Sequence, residues 1–178
     1  MMWPAVFLDR DGTLIEEVGY CSNPADVRVY EGVVESLNKL REAGFLVIVI
    51  TNQSGIGYGY FSEADYHAVN EEMTRQLAPF VVDGTYFSVE TPEKPGPRRK
   101  PNPGMVLEAA AEFEIDLAQS YFVGDREGDV LCGKNAGTRT VLVTTGYGDR
   151  FPDSVADYRA SGMVDAVEWL LKDTAPRK

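Results

Sequence analysis

The sequence predicts an α/β fold: a doubly wound parallel sheet with helices on both faces and no large cap domain. Two observations predict it. Short apolar runs alternate along the chain with amphipathic stretches at helical spacing, the signature of strand–helix–strand units. The longest apolar run, Phe45-Leu46-Val47-Ile48-Val49-Ile50, is continuous rather than alternating. That is the pattern of a strand covered on both faces, as parallel sheets are.

The first strand, Ala5-Val6-Phe7-Leu8, ends in a charged cluster. Gly32 to Ala43 places Val33, Val34, Leu37 and Leu40 at helical spacing, and Gly44 stops that helix as a C-terminal glycine does. Phe45 to Ile50 is the second strand. Ser62-Glu63-Ala64-Asp65 opens the next helix with a capping-box pattern, continued by Val69, Met73 and Leu77. Thr85 to Val89 reads as a third strand, followed by a proline-rich stretch from Thr91 to Pro103. Asn102 and Pro103 suit the N-cap and first position of a helix to about Phe113. Tyr121-Phe122-Val123 is the fourth strand, Asp129 to Ala136 a short helix, and Thr140 to Val143 the fifth strand. A Met163-Val164 edge strand and a helix from Ala166 to Leu171 close the fold. No repeat or linker interrupts the chain, so one domain over residues 1–178 is expected.

The chain has 178 residues, with 28 acidic against 17 basic side chains and a formal net charge of −11. Such a body repels bulk nucleic acid and anionic membrane, so neither is an expected partner. It also repels phosphorylated metabolites, and any phosphate chemistry needs its own positive charge. Cys21 and Cys132 are too few for a disulfide framework or a four-cysteine metal site. The start, Met1-Met2-Trp3-Pro4, has no basic region leading into a signal-peptide core, and no apolar run could span a bilayer. A reducing cytoplasm is the expected compartment and a monomer the expected state.

In doubly wound sheets ligands sit outside the carboxyl ends of the strands. Asp9 and Asp11 follow the first strand, Thr51 and Asn52 the second, and Asp125 the fourth, so the three clusters share one edge. Alone, Asp9-Arg10-Asp11-Gly12-Thr13 reads as an Asx turn in a solvated charge cluster. It could equally converge two carboxylates on one cation. It is not a calcium loop, because Tyr20 stands where the twelfth-position Glu is required. Thr51-Asn52-Gln53-Ser54-Gly55 offers a hydroxyl and backbone N–H groups that can cradle a phosphate, or is an ordinary polar turn. Arg98-Arg99-Lys100-Pro101 is the chain's only run of three basic residues; such a run usually reads as a surface patch, but in a body of net charge −11 it is the obvious place to hold a phosphate. Gly124-Asp125-Arg126-Glu127-Gly128-Asp129 alone could be a helix N-cap with a first-turn carboxylate; near Asp9 it could instead complete an oxygen-only site suited to Mg²⁺.

Taken in order, Phe7-Leu8-Asp9-Arg10-Asp11-Gly12-Thr13, Thr51-Asn52-Gln53-Ser54-Gly55, Arg99-Lys100-Pro101 and Val123-Gly124-Asp125 resemble the motifs of the haloacid dehalogenase superfamily of phosphatases. They span nearly the whole chain. The resemblance implies a Mg²⁺-dependent phosphomonoester hydrolase acting on a small phosphorylated sugar or related metabolite. It implies that Asp9 is the nucleophile and that Asp11 protonates the leaving oxygen and then activates water. It implies that Mg²⁺ binds the Asp9 carboxylate, the Asp11 backbone carbonyl and Asp125. Thr51 and Lys100 would hold the phosphoryl oxygens. Arg99, the turn Thr51, Asn52, Gln53 and Ser54, and a flap of Glu17, Val18, Gly19 and Tyr20 would contact substrate. Arg126 and Asp129 are further candidates near the metal.

Two departures bear on the substrate. Relatives often carry a zinc loop of three cysteines and a histidine before the Arg-Lys-Pro motif. Here Phe87 to Arg98 holds no Cys or His, so no zinc is expected there, and prolines could order the loop instead. The segment Gly55-Ile56-Gly57-Tyr58-Gly59-Tyr60-Phe61 has tyrosines where basic residues are common. His67 and Trp169 read as ordinary helix residues, and Tyr147 and Tyr158 carry no assignment. A phosphorylatable receiver module uses similar residue types, but its phosphorylated Asp follows a later, central strand. An inactive scaffold is the other alternative.

Overall fold

The structure, a computed structural model, describes residues 1–174; residues 175–178 of the expected domain lie outside the described residues. Six strands form one sheet: β1 (Ala5–Leu8), β2 (Leu46–Asn52), β3 (Gly84–Ser88), β4 (Tyr121–Gly124), β5 (Arg139–Val143) and β6 (Tyr158–Ala160). Their order is β3-β2-β1-β4-β5-β6, and every pairing is parallel. Six helices connect them: α1 (Val33–Glu42), α2 (Ser54–Gly57), α3 (Glu63–Leu77), α4 (Gly104–Phe113), α5 (Glu127–Ala136) and α6 (Met163–Asp173).

Successive strand residues point to opposite faces, and both faces are covered. Val6, Leu8, Val47, Val49, Tyr121 and Val123 share a core with Leu37 of α1, Met73 of α3 and Leu170 of α6. Ala5, Phe7, Ile48, Ile50 and Phe122 share the other with Met105 and Ala109 of α4 and Cys132 of α5. The central strands are therefore apolar on both faces, and the expected doubly wound fold is the one that forms.

Several boundaries differ from the sequence reading. β2 runs on through Thr51 and Asn52 because β3 continues beside it at Phe87 and Ser88. Ser54–Gly57 is a helical turn rather than an irregular one. Helix α4 starts one residue later than expected, with Pro103 at its N-cap; the Asn102 amide donates instead to the Gly96 carbonyl at 2.8 Å. Helix α5 starts at Glu127, and Asp129 accepts from the Arg126 N–H at 3.1 Å, back across the first turn. Met163-Val164 is not an edge strand. Met163, Ala166, Val167 and Leu170 are buried at helical spacing, so Met163 opens α6, and the edge strand is Tyr158–Ala160. A short apolar pair does not distinguish helix from strand without its longer period.

The chain leaves β1 for β2 on one side and reaches β4 on the other. Between β1 and α1, residues 9–32 hold one short 3₁₀ turn at Pro24–Asp26. The carboxyl end of β1 is thus the point where the winding reverses, and a crevice opens there.

Candidate active site

A cavity of about 520 Å³ lies at this edge, with Asp9, Asp11, Asn52, Arg99, Lys100 and Asp129 among its lining. Asp9 is the residue directly after β1, and its N–H donates to the Val123 carbonyl of β4 at 3.0 Å. Central strands on both sides hold it in place. Asp125 directly follows β4 and is fully buried. Its Oδ2 accepts from the Tyr147 N–H at 2.8 Å. Gly12, at φ +81°, and Gly146, at φ +60°, crowd this carboxylate so closely that a Cβ on either would collide with it. Both positions combine a left-handed backbone with a close approach, which only glycine meets without strain.

Asp9, Asp125 and Asp129 each place a carboxylate oxygen within 4.8 Å of the others. Lys100 faces this cluster. Its Nζ lies 2.8 Å from Asp9 Oδ1, 2.7 Å from Asp129 Oδ1 and 2.8 Å from the Ile50 carbonyl, so all three ammonium protons have acceptors. Burial would push the lysine down, but Asp129 and Asp9 outweigh it and its pKa rises. Burial and Asp129 push Asp9 above the usual carboxylate range, partly offset by Lys100. Burial, Asp9 and Asp129 push Asp125 up to about 9. One ammonium does not balance three buried carboxylates. Asp125 Oδ1 is moreover buried without a hydrogen-bond partner. An orphaned buried oxygen, in an oxygen-only cluster short of positive charge, fits a hard divalent cation.

Asp11 stands outside that cluster. Arg10 donates to both its oxygens, Nε at 3.0 Å and Nη2 at 3.2 Å. Gln53 Nε2 donates to Asp11 Oδ2 at 3.1 Å and to Thr51 Oγ1 at 2.9 Å. Arg10 is wholly buried, with Asn70 Oδ1 at 2.8 Å from its Nη1 and the Tyr66 ring beneath it. Sequence reasoning misses this role, because an arginine between two aspartates reads as solvated. The available signal is its position, at the end of a buried strand.

The other expected residues divide. Glu17, Gly19, Tyr20, Asn52, Gln53, Ser54, Arg99 and Lys100 line the cavity; Val18 and the buried Thr51 are not among its lining. Asn52 grips the Lys100 backbone in both directions, its Oδ1 accepting at 3.1 Å and its Nδ2 donating at 3.2 Å. Arg99 Nη1 donates to Ser54 Oγ at 2.5 Å and to the Glu90 carbonyl at 2.8 Å. Arg98 turns away and pairs with Glu108 of α4 at 3.1 Å. The proline-rich loop is tied by Asn102 to Gly96 and by the Gly104 N–H to the Pro97 carbonyl at 2.9 Å. Arg126 and Asp129 both line the cavity, and the guanidinium groups of Arg126 and Arg150 lie over the Tyr147 ring, 4.2 and 4.3 Å from its centroid.

Comparison with known proteins decides the family. A family model described as "HAD-hyrolase-like" matches residues 97–170. The D-glycero-D-manno-heptose-1,7-bisphosphate 7-phosphatase of Thermosynechococcus vestitus is 37% identical, over 98% of this chain and 98% of that protein. This chain belongs to the haloacid dehalogenase-like hydrolases. The D-glycero-beta-D-manno-heptose-1,7-bisphosphate 7-phosphatase of Haemophilus ducreyi is 40% identical over 93% of the chain and 97% of its own length. Among solved structures, the D,D-heptose 1,7-bisphosphate phosphatase of B. bronchiseptica, complexed with magnesium and phosphate, superposes with a TM-score of 0.86 at 29% identity. It covers 96% of this chain, and 99% of that chain is matched. Like these relatives, the chain is a phosphatase. Among the described residues no helix is long and apolar enough to cross a membrane.

Proposed function

We propose that the chain removes the 7-phosphate of D-glycero-D-manno-heptose 1,7-bisphosphate, using Mg²⁺ and an aspartyl-phosphate on Asp9. One observation carries the reading: a buried aspartate at the winding reversal, gripped by Lys100, at the floor of a cavity that Arg99 also lines. The names of the relatives support the substrate.

In this reading the Asp9 carboxylate attacks phosphorus, and the bond from phosphorus to the sugar oxygen breaks. Asp11 enters this step protonated, with the Oδ1 contact to Arg10 released while Gln53 and Arg10 keep Oδ2, and gives that proton to the departing oxygen. Asp11 then takes a proton from water as the water attacks phosphorus, and the bond to Asp9 breaks to release inorganic phosphate. Lys100 holds the phosphoryl group through its charge, and Arg99 meets the substrate at the rim. Asp9, Asp125 and the Asp11 backbone carbonyl would hold Mg²⁺, which supplies the positive charge that lets carboxylate and phosphate approach. Asp129 anchors Lys100 from the other side. The chain works as a monomer in the cytoplasm, on a small phosphorylated sugar.

The test is kcat/KM across heptose 1,7-bisphosphate, histidinol phosphate and common sugar phosphates. Heptose bisphosphate should lead by about 100-fold or more. A higher value for histidinol phosphate would overturn the substrate.

The cation has a signature independent of turnover. Asp125 is raised from 3.8 to about 9 by its surroundings. A carboxylate so raised contributes stability that is fully present below its unfolded value and is lost as pH rises through its folded one. The metal-free protein therefore loses this contribution between about pH 4 and pH 9. A bound cation replaces the protons, so its stabilisation grows over the same window. The Tm difference between samples in Mg²⁺ and in EDTA should widen by about 5 °C from pH 5 to pH 9. A difference that stays flat with pH contradicts a cation shared by these carboxylates.

A further inference from the structure

Three tyrosines stand together at the mouth of the cavity. Tyr20, Tyr58 and Tyr60 are 55%, 37% and 64% exposed. The Tyr58 and Tyr60 rings stack at 5.2 Å, and Tyr20 meets Tyr60 edge-on at 5.0 Å. A clustered aromatic surface left in water marks a place where something binds. Two of the rings are also held in position. Tyr20 sits at φ +39°, a backbone conformation that non-glycine residues adopt rarely. Its ring lies so close over Gly55 that a Cβ there would come within 2.9 Å of Cδ1. Tyr58 donates its hydroxyl to Glu93 Oε2 at 2.7 Å. That bond is the main reason its phenol is pushed up to about 12, so the ring stays neutral.

Tyr20 and Tyr58 line the same cavity as Asp9 and Lys100, while Tyr60 backs them both. The floor of the cavity is charged and this wall is aromatic. We propose that Tyr58, seated on Tyr60 beside Tyr20, is the surface against which the ring of a cyclic sugar phosphate lies, so that the enzyme selects ring-shaped phosphate esters over open-chain ones. A sugar ring presents a flat patch of C–H groups, weakly positive, which matches the negative face of an aromatic ring. An open-chain ester has the same phosphate for Asp9 and Lys100 but no such face. The inference rests on the reading of the chain as a sugar-phosphate hydrolase.

The experiment compares wild type, Tyr58→Ala and Tyr58→Phe. Two classes of substrate are used: cyclic sugar phosphates, heptose 1,7-bisphosphate among them, and open-chain glycerol 3-phosphate. Wild type should favour the cyclic class. Tyr58→Ala should lower the cyclic-to-open ratio of kcat/KM by about ten-fold, chiefly through KM for the cyclic ester. Tyr58→Phe keeps the ring and should restore the ratio to within about three-fold of wild type. An unchanged ratio in Tyr58→Ala overturns the proposal. So does a parallel loss on both classes with a fall in Tm, because the tyrosines would then only brace the loops. If another cyclic sugar phosphate is hydrolysed but heptose bisphosphate is not, the proposed substrate falls and the tyrosine ratio is read on the former. If heptose bisphosphate is hydrolysed and the ratio does not move, only the tyrosine inference falls.

Discussion

Asp9→Asn should abolish phosphate release, by more than about 10³-fold in kcat, without harming the fold. Asparagine keeps the size of the side chain and can still accept from Lys100, but its amide is no nucleophile. The same substitution removes one of three carboxylates whose burial and mutual repulsion raise the pKa of Asp9 and Asp125. Without metal the variant should therefore melt at or above the wild-type temperature. Activity and stability move in opposite directions, which a variant that merely misfolds cannot imitate. Single-turnover phosphate release and a melting curve in EDTA check both arms. Residual release within about ten-fold of wild type would remove Asp9 from the nucleophile's role.

Lys100→Met should be the most destabilising single change at the site. It leaves Asp9 and Asp129 buried without a cation, and the Ile50 carbonyl without its donor. Breaking a buried ion pair from one side costs about 3–5 kcal/mol. The loss should be largest near pH 8, where Asp9, raised by burial and by Asp129, is pressed to ionise. It should shrink toward pH 5, where a proton on Asp9 can take the place of the ammonium. Mg²⁺ should recover part of the stability and none of the lost phosphoryl contact. Urea unfolding at the two pH values is the measurement. A loss below about 1 kcal/mol, the same at both, would mean that Lys100 is not the counter-charge.

Much of the fold and the site is legible in the residues. Val69, Met73 and Leu77 mark a buried helix face, and they do pack the core. The charged and polar residues at the ends of β1, β2 and β4 mark one sheet edge, and they do meet there. Both signals are local, written in side-chain period and in the residues that come directly after a strand. Other roles are not legible. Asn52, expected to contact substrate, lines the cavity and also grips the backbone of Lys100, 48 positions away. Arg10 looks like a surface charge, but Asn70, 60 positions away, helps to bury it. Asp129 looks like a cap residue, and it is one, yet the same carboxylate holds Lys100. Tyr20 joins Tyr58 and Tyr60 only when the flap folds onto α2.

Short-range patterns in the chain dictate the parallel sheet, its carboxyl edge and the identity of the charged groups placed there. Any chain with these strands and these residues after them must obey those patterns. Which charge faces which is a matter of packing between distant segments. Lys100 reaches Asp9 across 91 positions, and both lie where water is excluded. In such a place an unbalanced carboxylate is costly. The partners that tertiary packing brings together therefore set the protonation of the site, its demand for a cation and the wall against which a substrate can rest.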